Sequence, residues 1–455
     1  MFHDLAFVGF LGALVILALR RPFLFVLVYV YIDIVSPQRL TYFLLNSVPI
    51  SLIAVTLAVG SWALFDDKKD ARVAPRQVLL LALLGWCAIT TMRADFPTDA
   101  LDKWDWVWKA LAFAAFLPLA LRTRLRIEAL LTFMILSVGT IIIVGGIKTA
   151  TGGGGYGTLD LMVANNSGLY EGSTISTVAI AIIPSILWLS RHSTIFKRDW
   201  KVKLFCYALV FACLLIPIGT STRTGLLCTG LLAVLMLRES KRKFTYLAVI
   251  AAIGLVSVPL LPKSFVDRMS TIETYQQDES AATRVAVWQW TWEYAKQHPF
   301  GGGFEMYRQN EVRYDIVSAK GPANNLKLEK KLTTDRARAY HSAYFEMLGE
   351  QGWPGAILWL SICLTGILRM EVIHQRYKKA SADEAWIAPL ASALQAGQIL
   401  YMLGAAFIAI AFQPFLLMMV GTQIGFDTYL TRKRAQSSFR PVKRATSASS
   451  CLPAL

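Results

Sequence analysis

Apolar runs of 15 to 20 residues recur from one end of this 455-residue chain to the other, broken only by short polar links. A run of that length is what an α-helix needs to cross about 30 Å of hydrocarbon, where only helices and closed barrels satisfy their own backbone groups. Charged residues make up 17% of the chain, against about a quarter in a soluble domain, which excludes a soluble enzyme. Candidate spans fall near 5–19, 22–36, 48–65, 76–92, 104–120, 127–147, 174–190, 202–218, 224–237, 244–260, 353–369, 385–408 and 412–430. The reading is an all-α polytopic integral membrane protein with about twelve or thirteen spans. Its first residues, Met1-Phe2-His3-Asp4, lack a basic region and a small-residue cleavage site, so the first run reads as a retained span. The six cysteines include no C-x-x-C pair, which speaks against a disulfide framework or a zinc ribbon.

The net charge of +16 could suggest nucleic acid, but the placement of the cations points to a membrane surface. Alternate short loops and the tail hold 28 of the 46 basic residues, and the short loops of the other side hold only six. Cations collect on the cytoplasmic side, so the tail reads as cytoplasmic and the segment 261–341, with the remaining twelve, as external. Four parts follow: an N-terminal bundle over 1–260, an external loop with interfacial helices over 261–352, C-terminal spans over 353–430, and a disordered basic tail over 431–455. An external loop of this length is usually functional. Within it, Val285, Trp288, Trp292 and Ala295 recur at helical spacing, as do Val287, Trp290 and Tyr294, the pattern of an amphipathic helix in the headgroup layer.

Several residues there could carry chemistry. Arg223 lies in Gly219-Thr-Ser-Thr-Arg-Thr-Gly225, where one expected span meets the next on the cation-poor side. Either it snorkels at a helix end, or it forms an anion clamp with Ser221, Thr222 and the free N–H groups of the following helix. Arg284, four residues before Trp288, is either an interfacial cation or a second phosphate contact. The run His298-Pro-Phe-Gly-Gly-Gly-Phe304 lacks the Lys-Ser/Thr of a P-loop and reads as a structural turn. Gly152–Gly157 reads as a flexible external loop. His341 opens a helix, with Arg338, Tyr344 and Phe345 at spacings of three and four. Its imidazole either caps that helix or acts as a general base, since its ordinary pKa of about 6.5 lets it accept a proton at neutral pH. Arg338, Lys148 and Tyr340 are candidate assisting groups. Neither H-E-x-x-H nor D-x-D occurs, so no metal site is expected, and there is no G-x-S-x-G nucleophile elbow.

Taken together, these segments resemble the bacterial O-antigen ligase and polymerase superfamily. The matching pieces are S/T-x-R-x-G around Thr222–Gly225, Arg284 with Trp288, His-Pro-x-Gly-x-Gly at 298–303, and the His-opened helix ending in Glu-x-Gly-x-x-Gly by Gly355. Their order and the long external loop are similar too. Ser342 stands where many members carry Asn. The likeness is greatest to putative O-glycosylation ligases of exosortase-type systems. The resemblance implies a GT-C-like glycosyltransferase of the bacterial inner membrane that works on its periplasmic face. It implies transfer of a glycan from undecaprenyl pyrophosphate to an acceptor hydroxyl, commonly on lipid A-core, with no cofactor, metal or nucleic acid. His341 would be the base, and Arg223 and Arg284 would hold the pyrophosphate. An O-antigen polymerase or a protein O-oligosaccharyltransferase would share these parts. A polysaccharide transporter would instead place ionisable groups at the bilayer midplane, where this sequence has few.

Overall fold

The computed structural model describes residues 2–41, 43–68, 71–152, 168–197, 199–238, 279–320 and 327–438, with a few positions between 242 and 248. Nearly all of the expected span at 244–260 and of the Gly152–Gly157 loop, and the tail beyond 438, lie outside the described residues.

Helices occupy the expected apolar runs. They are α1 (Phe2–Arg20), α2 (Leu24–Val35), the short α3 (Pro37–Leu40), α4 (Ile50–Phe65), α5 (Pro75–Met92), α6 (Pro97–Ala120) and α7 (Arg124–Ala150). Then come α8 (Gly172–His192), α9 (Trp200–Gly219), α10 (Arg223–Met236), α11 (Glu279–Gln297), α12 (Ala343–Tyr377), α13 (Ile387–Ala405) and α14 (Pro414–Ser438). Among the described residues, six helical segments are long and apolar enough to cross a membrane, and α2, α4 and α10 are shorter apolar helices. The protein is an all-α polytopic membrane protein in its architecture.

α8 is the axis of the bundle, packed against α7, α9, α10 and α13. Without a hydrophobic drive between helices in lipid, close packing needs small residues at the contact. Gly397 and Gly404 of α13 supply them, since a Cβ on Gly397 would lie 2.8 Å from the Ala181 carbonyl oxygen and one on Gly404 would strike Thr177. The helices alternate direction, so two ends are distinct. One end gathers the C-termini of α5, α7, α9 and α13 with the N-termini of α6, α8, α10, α12 and α14. At the other, cations pair with carboxylates: Arg124 with Glu128, Arg126 with Asp66, Arg369 with Asp427, and Lys433 with Glu384.

The segment leading from α11 to α12 departs from a purely helical reading. After α11 the chain forms an antiparallel hairpin, β1 (Glu311–Lys320) and β2 (Lys327–Arg336), in register from Glu311 opposite Arg336 to Lys320 opposite Lys327. Val312 and Tyr314 point one way along β1 and join Val287 and Tyr340 in a small core of their own, separate from that of the bundle. That core fastens the hairpin and α11 over the start of α12.

Candidate functional site

Three local structures meet at the first end of the bundle. The first is the turn between α9 and α10. Ser221 there has a left-handed backbone (φ 49°), which reverses the chain so that Arg223 opens α10. The turn is locked to α8 by hydroxyls: Thr222 donates to Ser176 Oγ at 3.0 Å, and Thr220 and Ser176 share a bond at 2.7 Å. Gly225 allows this, because a Cβ would lie 2.8–2.9 Å from Pro217, Ser176 and Thr222.

The second is the start of α8. Glu171 caps it, accepting from the Ser173 and Thr174 backbone N–H groups at 3.0 and 2.6 Å. The next residue, Gly172, packs against Thr220, so the capping carboxylate lies beside the Arg223 turn.

The third is the approach to α12. Asn310 brackets Arg338 from both sides, accepting from its N–H at 2.9 Å and donating to its carbonyl at 2.7 Å. The Arg338 guanidinium pairs with Asp335. Trp288 of α11 donates to the Tyr340 carbonyl at 2.8 Å and stacks on Phe345 with ring centres 5.2 Å apart. Between these anchors His341 is forced into the left-handed region (φ 48°), as is Ala337 (φ 54°). Such backbone persists in a non-glycine residue only where its surroundings over-determine it, as functional sites do.

His341 is exposed to solvent as a residue, yet its pKa lies below the ordinary histidine value. Protein packed around the imidazole is the largest cause, followed by the positive charge of Arg284. Glu171 opposes the shift and Arg338 adds to it. The histidine is therefore neutral at neutral pH, open to a reactant, and set among two cations and one anion. An imidazole so placed can take a proton while the guanidiniums receive negative charge. The same electrostatics give a prediction with opposite signs. Glu171→Gln should move the acid limb of a pH–rate profile to lower pH, and Arg338→Gln should move it to higher pH. Shifts in the same direction, or none, would show that His341 does not govern that limb.

Residues 207–360 match the family described as O-Antigen ligase, and residues 2–194 match a family of unknown function (DUF5935). The first of these places the segment 207–360, and with it the turn at Arg223 and the approach to α12, in the O-antigen ligase family. No curated protein matches it. Of the candidate residues, the ligase-family segment contributes Arg223, Arg284, Arg338 and His341. The segment matching the family of unknown function supplies Glu171, so the candidate site draws on both.

Some sequence expectations need correction. Tyr340 is not positioned to assist: its ring is 1% exposed, stands edge-on to Tyr307, and turns its hydroxyl toward Met306 Sδ. Ser221 is buried and the Thr222 hydroxyl is committed to Ser176, so both shape the turn. Lys148 sits in the last turn of α7, at the same end of the bundle. The triple glycine, by contrast, is the structural turn that its sequence suggested. Gly302 and Gly303 donate to the Gly349 and Glu350 carbonyls at 3.1 and 2.9 Å, and Trp353 donates to the Pro299 carbonyl at 2.9 Å. This splints a break in α12 at Gly352 (φ 62°), where a side chain would collide with the Pro299–Gly301 backbone.

Two features escaped the sequence reading. Glu171 is one. The other is a buried ionic cluster under the first turns of α12: Lys103 donates to Glu346 at 2.8 Å and to both oxygens of Glu350 at 2.9 Å. Glu346 also accepts from Ala411 N–H at 3.0 Å, and Glu350 from Glu305 N–H at 3.1 Å. Phe304 and Phe412 flank the ammonium. The signal available was the pair of glutamates one turn apart in an otherwise apolar helix, which calls for a cation.

Proposed function

We propose that this chain is an inverting glycosyltransferase of the bacterial inner membrane, with a GT-C-like architecture and its α11–hairpin end in the periplasm. It transfers a glycan from undecaprenyl pyrophosphate to an acceptor hydroxyl, that of lipid A-core. The family match over residues 207–360 supports a ligase or polymerase activity in general. The single observation that carries the finer reading is the neutral, exposed His341 held among Arg284, Arg338 and Glu171, beside the turn that presents Arg223.

In the transfer, His341 takes the proton from the acceptor hydroxyl as its oxygen attacks the anomeric carbon. The bond from that carbon to the pyrophosphate oxygen breaks on the opposite face, and the pyrophosphate leaves with the electron pair. That leaving group is already an anion, so it needs cations rather than a protonating acid, and Arg223 and Arg284 supply them through charge-assisted hydrogen bonds. Arg338 and Lys148 add positive charge at the rim. A metal has no step assigned to it in this sequence of events.

Arginine rather than lysine matters if two phosphate oxygens are held by one planar fork. Arg223→Lys and Arg284→Lys should each cost about 2–4 kcal/mol in the transition state, or roughly 30- to 1,000-fold in rate. The test is a transfer assay on purified variants with lipid-linked glycan. Turnover near that of the unmodified protein in both would reduce the arginines to helix anchors and remove the clamp.

A further inference from the structure

A second feature lies at the opposite end of the bundle, away from His341. Helices α7 and α9 touch closely toward the His341 end, where Gly139 meets Leu209 and Gly146 meets Ala212. Toward the other end the facing residues are large, and a cavity of about 390 Å³ lies between α7, α8 and α9. Its walls include Ile135, Leu136, Leu189, Val202 and Phe205, with Phe196 and Lys201 at its outer end. Leu136 and Phe205 remain exposed, so the groove opens sideways to the membrane as well as toward its end.

The cations around this mouth differ from their neighbours. Arg122, Arg124, Arg126, Arg238, Arg369 and Lys433 at the same end each pair with a carboxylate. Arg191, Lys197, Lys201 and Lys203 are exposed and make no ion pair with a described residue. Two described acids lie near: Asp199 caps α9 through Trp200 N–H at 2.6 Å, and Glu128 pairs with Arg124 and accepts from Thr194 N–H. Trp200 itself is 66% exposed beside Lys201, where an indole sits at a membrane interface.

We propose that this groove is a binding site for an anionic phospholipid of the leaflet opposite the His341 end, one acyl chain lying in the groove and its phosphate on Lys201. Length agrees with that occupant. From Lys201 to Leu209 the helix rises about 12 Å, against about 15 Å for the hydrocarbon of one leaflet. The polyprenyl tail of a donor held at His341 would have to come from the other end, where the Gly139–Leu209 and Gly146–Ala212 contacts close the path. Charge agrees too, because a cluster of free cations at a membrane surface selects anionic headgroups.

The test is native mass spectrometry of the purified full chain in detergent, titrated with phosphatidylglycerol, phosphatidylcholine or undecaprenyl phosphate. The unmodified protein should retain one phosphatidylglycerol in preference to phosphatidylcholine. Lys201→Glu, a change on an exposed side chain, should lower that retention about tenfold. Leu136→Trp should fill the groove and abolish it, with the melting temperature measured alongside; if that variant unfolds, Lys201→Glu decides alone. Equal retention of the two phospholipids, undiminished retention in Lys201→Glu, or displacement of phosphatidylglycerol by undecaprenyl phosphate would each overturn the proposal.

Discussion

His341→Ala should fold, bind lipid-linked donor as tightly as the unmodified protein, and lose transfer by about 10²- to 10⁴-fold, the usual worth of a general base. Binding and chemistry separate because the arginines hold the pyrophosphate whereas the imidazole alone removes the acceptor's proton. The surrounding contacts do not depend on the ring: Asn310 and Trp288 hold the backbone at Arg338 and Tyr340, and Trp288 stacks on Phe345 beyond it. In the unmodified protein, activity should fall on acidification, since a protonated imidazole cannot accept a proton. The midpoint should lie below the ordinary value of about 6.5, because the packing around the ring and Arg284 favour its neutral form. A variant that loses donor binding and melting temperature in proportion to rate would mean that His341 serves only the local fold. Full activity in the variant would remove it from the mechanism.

Lys103→Met should be the most damaging single change to stability, by about 3–5 kcal/mol, because it leaves two buried carboxylates without their cation. The expected result is a large fall in melting temperature in detergent and loss of the closed first end. Ala411 N–H and Glu305 N–H both depend on carboxylates that Lys103 holds in place, so the α13–α14 link and the glycine turn loosen together. Adding Glu346→Gln and Glu350→Gln to Lys103→Met should restore much of the loss, since a neutral cluster no longer carries unpaired charge. A single variant as stable as the unmodified protein would show that the cluster is not the tie that the geometry implies.

The spans were legible because a membrane helix writes itself as an uninterrupted apolar run, and most helices begin within three residues of the expected start. Helices α6 and α12 begin seven and ten residues earlier, on polar turns that hydropathy does not mark. Arg223, Arg284 and His341 were legible by residue type, each a polar group where an apolar or neutral one would be the default. The hairpin was not. β1 alternates Val312 and Tyr314 with Glu311, Arg313 and Asp315, but β2 is mostly charged and polar and lacks the apolar alternation that marks a strand. Glu171 and Lys103 failed for a different reason. Each looks ordinary in its own segment, a helix cap and a loop cation, and acquires meaning only from partners 170 and 243 positions away. Tyr340 failed in the opposite sense, since it adjoins His341 in sequence while its ring turns into the small core under the hairpin.

The central claim is most directly tested by reconstituting the purified protein with undecaprenyl pyrophosphate-linked glycan and lipid A-core, with EDTA present, and following both products. A His341 base with an arginine clamp predicts glycan on lipid A-core with its anomeric configuration inverted, one undecaprenyl pyrophosphate released per transfer, and no product from His341→Ala above the residual rate. Retained configuration, a requirement for added divalent ion, or equal product from the His341→Ala protein would contradict it.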